Sequence, residues 1–212
     1  MKKGGRYKTS HLTEDQFEPG ARKQVLRNLL RIKSAWEMDR IEAIALKQTE
    51  EFLFRQYDKN HQFTAKDICY IHKVWLGRIY EWAGQYRNVD LIKEDFRFPH
   101  AKYIPQLMEL FEKEYLQKHT PCIFKSKDRL IKALAEVHAE LVLIHPYREG
   151  NGRVARILST LMALQAGLPP LDFRSIQGKN TKNYITAIHA AMGHHYEPME
   201  AIFRRILEDS NR

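Results

Sequence analysis

The sequence predicts an all-α fold. Apolar residues recur at helical spacing along most of the chain, helix-start and helix-stop signals punctuate those stretches, and a single short segment breaks the pattern. The 212 residues suit one domain, on the usual scale of roughly 100–200 residues each.

The first periodic stretch, residues 21–32, carries Val25, Leu26, Leu29 and Leu30 behind Pro19-Gly20 and predicts a helix. A second helix is expected over about 36–56, with Met38, Ile41, Ala45 and Phe52 among its apolar positions. Thr64 and Asp67 form a capping-box pair, in which each side chain satisfies a free amide of the first turn. The helix they start carries Ile68, Ile71, Trp75 and Ile79.

Between Trp82 and His100 the helical spacing stops. Asn88 to Ile92 and Phe96 to Phe98 read as two extended pieces around Lys93-Glu94-Asp95, a small hairpin. Helical spacing returns with Tyr103, Leu107, Leu110, Phe111 and Tyr115. Ser126 is placed to cap a long helix carrying Leu130, Leu134, Val137, Leu141 and Ile144, and Pro146 ends it near His145. A loop from Tyr147 to Gly150 leads to a helix over about 151–166, stopped by Gly167 and Pro169-Pro170. Two more helices, about 181–192 and 198–209, complete roughly eight; Pro198 opens the last at a tolerated first-turn position.

Composition narrows the class. With 43% hydrophobic and 29% charged residues the chain reads as globular, and no run approaches the ~18 apolar residues of a membrane span. No signal-peptide core follows the polar start, so a soluble, cytoplasmic protein is expected, or one delivered to a host cytosol. Cys69 and Cys122 stand outside any CxxC and are read as reduced packing residues. His194-His195 lacks metal-type spacing with either cysteine, and no HExxH occurs.

The formal charge of +9 is uneven: residues 1–33 contribute +6 and the remaining 179 only +3. That excess raises a basic nucleic-acid-binding module as a second class of function, using the arm on phosphates. Its distance from the chemistry-bearing segment, and the absence of any zinc-finger or RRM signature, argue against it.

That segment is His145-Pro-Tyr-Arg-Glu149-Gly150-Asn151-Gly152-Arg153-Val-Ala-Arg156, a loop closing into a helix N-terminus. Free amides and the positive end of the helix dipole favour an anion there, and Gly150 and Gly152 let an oxygen approach the backbone. Arg153 and Arg156 share a helix face near the same end. The combination describes a polyphosphate cradle. No GxxxxGK[ST] is present, so Glu149 is the candidate to share Mg²⁺ with phosphate oxygens. His145, with an ordinary pKa of ~6.5, suits removal of a proton from an attacking hydroxyl. His138, one helical repeat earlier, is read as packing.

The segment resembles the Fic family signature H-x-F-x-[D/E]-G-N-G-R-x-x-R, departing from it only at Tyr147. Tyr80 to Arg87 resembles the family's stretch before its flap, Phe96 to Phe98 falls where the flap hairpin belongs, and Asn183-Tyr184-Ile185-Thr186-Ala187 looks like its Y-x-x-A helix. The similarity runs from about Phe63 to Leu207. It implies a Fic-type helical bundle over 63–212, an N-terminal helix with an inhibitory segment over 34–62, and a basic arm with a first helix over 1–33.

The resemblance further implies transfer of AMP from ATP to a Ser, Thr or Tyr hydroxyl of a target protein. His145 would be the base and Glu149 the Mg²⁺ ligand. Gly150, Asn151 and Gly152 would line the anion hole, Asn151 orienting the α-phosphate. Arg153 and Arg156 would reach the outer phosphates, Tyr184 would meet adenine unless it is core, and Phe96 and Phe98 would dock the target. Glycine at 152, where Doc-type relatives carry lysine and transfer phosphate, favours AMP over transfer of another nucleotide or phosphate group. Many Fic proteins also carry an inhibitory [S/T]-x-x-x-E-[G/N] helix whose glutamate pairs with the second motif arginine. Here Met38 to Ala43 is the nearest match, which implies a Glu42–Arg156 pair; Ser10 to Asp15 is a second partial match. Failing both, restraint would come from a separate antitoxin-like protein.

Overall fold

Ser34 opens the first helix, its hydroxyl accepting the Glu37 amide. The computed structural model describes residues 14, 16–93 and 96–210. The α-helices in chain order are α1 (Ala35–Gln56), α2 (Ala65–Leu76), α3 (Ile104–Phe111), α4 (Gln117–His119), α5 (Lys127–Ile144), α6 (Asn151–Gln165), α7 (Thr181–Ala191) and α8 (Glu197–Ser210). Between α2 and α3 lies a two-stranded antiparallel hairpin, β1 (Ile92–Lys93) and β2 (Phe96–Arg97), with Ile92 opposite Arg97 and Lys93 opposite Phe96. All-α with one small hairpin is the observed class. The hairpin is shorter than its sequence pattern, and its turn, residues 94 and 95, lies outside the described residues.

The start signals act as expected. Thr64 and Asp67 form a complete capping box on α2, and Ser126 caps α5 by accepting the Arg129 amide. α5 is the central element, packed against α3, α6, α7 and α8. Ile131, Leu134, Val137 and Leu141 on it are buried, and each such side chain contributes roughly 1.5–3 kcal/mol of burial free energy. Cys122 is buried and Cys69 half-buried, both as free thiols. No helix among the described residues is long and apolar enough to cross a membrane.

The helix expected over 21–32 does not form. Arg22, Lys23 and Arg31 hold φ of 50°, 58° and 56°, outside the helical region. The segment instead wraps around buried Asn28. Its side-chain amide donates to Leu26 O and Ile32 O, and its Oδ1 accepts the Ile32 N–H. Such side chain to backbone bonding competes with the helical ladder. The expected stripe is buried only in part: Val25 is buried with Ala21 and Ile32, whereas Leu29 and Leu30 are 56% and 48% exposed. The basic positions 2, 3, 6 and 8 of the arm lie outside the described residues, as does the Ser10 to Asp15 match apart from Glu14.

Candidate active site

His145 sits where α5 ends. Pro146 has no amide to extend the helix, and His145 takes φ +53°, a left-handed conformation uncommon outside glycine. Hydrogen bonds hold it there. Its ring Nδ1 lies 2.9 Å from the Val142 carbonyl, and its own carbonyl accepts Arg87 Nε at 2.7 Å. A carbonyl only accepts, so Nδ1 carries a proton and donates it to Val142. Phe98 stacks on the imidazole, the ring centres 3.8 Å apart.

The loop that follows is clasped from inside. Both ends of the buried Asn151 amide engage the Tyr147 peptide: Oδ1 accepts its N–H and Nδ2 donates to its carbonyl, each at 2.8 Å. His72 grips the next turn. Its Nδ1 accepts the Gly84 amide at 2.8 Å, which leaves Nε2–H to donate to the Glu149 carbonyl at 3.1 Å. The His72 ring stacks on Tyr147 with centres 3.9 Å apart, and burial pushes its pKa down to about 3, so it stays neutral. Gly150 is required twice over: its φ is +88°, and a Cβ there would meet the Trp75 ring at 2.6 Å.

α6 then begins without a side-chain cap. The Arg153 and Val154 amides both return to the Gly150 carbonyl, so the first-turn amides of Asn151 and Gly152 are those offered to a ligand. A Cβ on Gly152 would meet nothing within 4 Å, so that side of the turn is open. The result is an uncapped turn of backbone at the positive end of a helix of 15 residues, a setting that favours an anion.

The two arginines have different surroundings. Arg153 lies over the Trp75 ring, donates to Glu42 Oε2 at 2.7 Å and approaches Glu149 Oε1 at 3.6 Å. Glu42 is buried and also receives the Tyr80 hydroxyl at 2.8 Å. Arg156 donates to the Gly152 carbonyl and lies near Glu50, His138 and Tyr184. Glu50 on α1 has its pKa raised by burial, with Arg156 pulling the other way. Glu149 supplies one hard carboxylate donor, and no group of three or more His, Cys, Asp or Glu that could hold a metal occurs among the described residues. A single carboxylate suits a magnesium ion whose other ligands are phosphate oxygens and water, so the donor set fits Mg²⁺. A groove of about 620 Å³ between α3 and α5, lined by Leu107, Phe111, Tyr115, Glu136 and Glu140, contains none of these motif residues.

A model of the Fic/DOC family matches residues 62–163. The probable protein adenylyltransferase Fic of Salmonella typhimurium is 30% identical over 148 residues, 68% of this chain and 69% of that protein. The chain belongs to the Fic/DOC family. Protein adenylyltransferase VbhT of Bartonella schoenbuchensis is 31% identical over 147 residues, again 68% of this chain but only 30% of that larger protein. Among solved structures, the N-terminal Fic domain of an effector from Bartonella sp. AR 15-3 aligns with a TM-score of 0.73 at 24% identity, covering 95% of this chain and 92% of that one. BepC of Bartonella tribocorum, solved with AMPPNP bound, gives 0.72 at 23% identity, covering 92% and 98%.

The fold therefore brings His145, Glu149 and Gly150 to Arg156 of the Fic motif into one turn of chain, and it changes several roles read from the sequence. Glu42 meets Arg153 and not Arg156, because α1 passes beside Trp75, where its Glu42 carbonyl accepts the indole N–H at 3.0 Å. The Asn151 side chain is turned away from the expected α-phosphate position, with both ends of it holding Tyr147. Arg153 is engaged with the Glu42 and Glu149 carboxylates. Phe98 is buried and covers His145, so it does not dock a target directly, and half-buried Phe96 stacks on His189, with ring centres 5.0 Å apart. Tyr184 is half-buried with its hydroxyl 2.8 Å from His138 Nε2, beside the arginine face. His138, read as packing, is fully buried and bridges Ser159 and Tyr184. His72 and Arg87 were missed as site residues, since their partners lie 77 and 58 residues away in sequence. The only signal for Arg87 was its place at the end of the flap-like stretch.

Proposed function

We propose that this chain is a protein adenylyltransferase that transfers AMP from ATP to a hydroxyl side chain of a target protein. The observation that supports this reading is the His145 ring, oriented by its Nδ1 bond to the Val142 carbonyl, in the loop that leads to the uncapped N-terminus of α6. In the reaction the target hydroxyl oxygen bonds to the α-phosphorus, its proton passes to His145 Nε2, the bond from the α-phosphorus to the oxygen bridging to the β-phosphate breaks, and pyrophosphate leaves. The amides of Asn151 and Gly152 receive the charge that develops on the phosphoryl oxygens. Such a transfer needs mainly alignment and charge neutralisation, which a fixed backbone cradle provides.

Glu149 would hold Mg²⁺ together with the phosphates, and the ion when bound neutralises phosphate charge. Arg156, beside Tyr184, is assigned to the outer phosphates and the nucleotide, whereas Arg153 shapes the loop through Glu42, Glu149 and Trp75. The flap hairpin aligns an extended target segment by backbone pairing. With Glu42 committed to Arg153 and Tyr80, restraint on activity is assigned to a separate antitoxin-like protein and not to α1. The reading is tested by the leaving group. Pyrophosphate, in step with modified protein, is expected from ATP and Mg²⁺ and is lost in His145→Ala; accumulation of orthophosphate with no pyrophosphate would overturn it.

A further inference from the structure

We propose that Arg87 is a positioning residue for the transfer: it locks the flap hairpin onto the backbone of His145 and so sets Phe98 over one face of the imidazole. This rests on the adenylyltransferase reading for its functional consequence. Arg87 is 2% exposed, and each donor group of its guanidinium ends on a different backbone carbonyl. Nε donates to His145 O, Nη1 to Val89 O and Nη2 to Pro99 O, all at 2.7 Å. Its own amide donates to Pro146 O at 2.9 Å. One side chain thus joins the catalytic residue, the chain entering the hairpin and the chain leaving it.

The arrangement is specific to arginine. A planar fork with diverging N–H groups reaches three carbonyls at once, whereas a lysine ammonium is a single point on a flexible stem. Burial lowers the Arg87 pKa to about 10, which still leaves it charged at neutral pH, and among the described residues its side-chain bonds go to backbone carbonyls. A buried cation is retained only when its bonds are well satisfied, and here the carbonyls supply that.

The hairpin needs such an anchor. Two residues per strand are too few for independent stability, and Val89, Leu91 and Phe98 form a small apolar cluster separate from the main core. The Phe98 amide donates to Leu91 O at 3.1 Å, one rung inside the Arg87 clamp, and the same residue stacks on His145. Opening the clamp therefore releases the flap base, the Phe98 ring and the His145 carbonyl together.

The test uses the full chain with Arg87→Gln, Arg87→Lys and Phe98→Leu. In folded Arg87→Gln, the Phe98 amide is expected to lose its hydrogen-exchange protection and the His145 ring protons to lose their upfield ring-current shift, while His138 keeps its signals. Arg87→Lys does not restore them, and Phe98→Leu reproduces the His145 change with Arg87 intact. With the His145→Ala chain as acceptor, AMP transfer by Arg87→Gln should fall by about tenfold or more, while the KM for ATP moves by less than about twofold. Unchanged Phe98 exchange and His145 signals in folded Arg87→Gln would overturn the proposal, as would a transfer loss no larger than the loss of folded protein. If the wild-type chain transfers no AMP, the adenylyltransferase reading fails on its own, and the exchange and ring signals still decide what Arg87 does.

Discussion

Glu42 of the first helix holds Arg153, the first arginine of the Fic motif, at 2.7 Å. The carboxylate is also bonded by Tyr80, so it is part of the wall that fixes the loop between α5 and α6. Glu42→Gln is expected to destabilise the fold by roughly 2 kcal/mol, less than a fully buried pair would lose because Arg153 keeps solvent contact. Labelling from ATP should fall with it. Urea unfolding and self-labelling beside wild type check both, and a gain in labelling would instead restore the view of Glu42 as a brake.

The two motif glycines separate fold from chemistry. Gly150→Ala forces a left-handed residue and drives a methyl group to 2.6 Å from Trp75, so a loss of roughly 2 kcal/mol or more is expected in urea unfolding. Gly152→Ala meets open space and should leave stability within about 1 kcal/mol. Its methyl group narrows the anion approach, so labelling should drop while the melting curve does not.

Asn151→Ala removes both partners of the Tyr147 peptide, leaving a buried N–H and C=O unsatisfied at a cost of about 2–4 kcal/mol. Asn151→Asp keeps the acceptor for the Tyr147 amide but loses the donor, so its loss should be intermediate. Denaturation midpoints of the two variants rank them, and equal, negligible losses would contradict the clasp.

Buried histidines set the acid limit. His72 and His138 are held neutral by burial, each with a pKa lowered to about 3 from an ordinary 6.5. Between those values the unfolded chain binds protons that the folded chain does not, so stability rises with pH; it is complete above about 6.5 and is lost progressively toward 3. At pH 4.5 the loss should be on the order of 2 kcal/mol for each. A His138→Gln variant should show a shallower fall in unfolding free energy between pH 7 and 4.5 than wild type.

Much of this was legible in the chain itself. Thr64-Asp67, Ser126, Pro146 and Gly167 act over one turn of helix, so the ends they mark lie where expected, although α2 stops at Leu76 and leaves Ile79 of its expected stripe beyond the helix. Residues 21–32 misled because Asn28 bonds its own neighbourhood, a competition that apolar spacing does not register. In the site, the motif marks which residues meet the loop but not which way each side chain turns. Asn151 turns inward to Tyr147, and Glu42 meets Arg153 because of how α1 crosses α2 and α6. Arg87 and His72 become visible only once the hairpin and α2 are folded against the loop.

The most direct measurement follows the two ends of ATP. Wild type and His145→Ala are incubated with Mg²⁺ and ATP labelled at the α- or the γ-phosphate, with the chain itself and candidate proteins as acceptors. Protein label from the α-phosphate alone, absent in His145→Ala, is the expected result. Label from the γ-phosphate, or α-label that survives without His145, would contradict it.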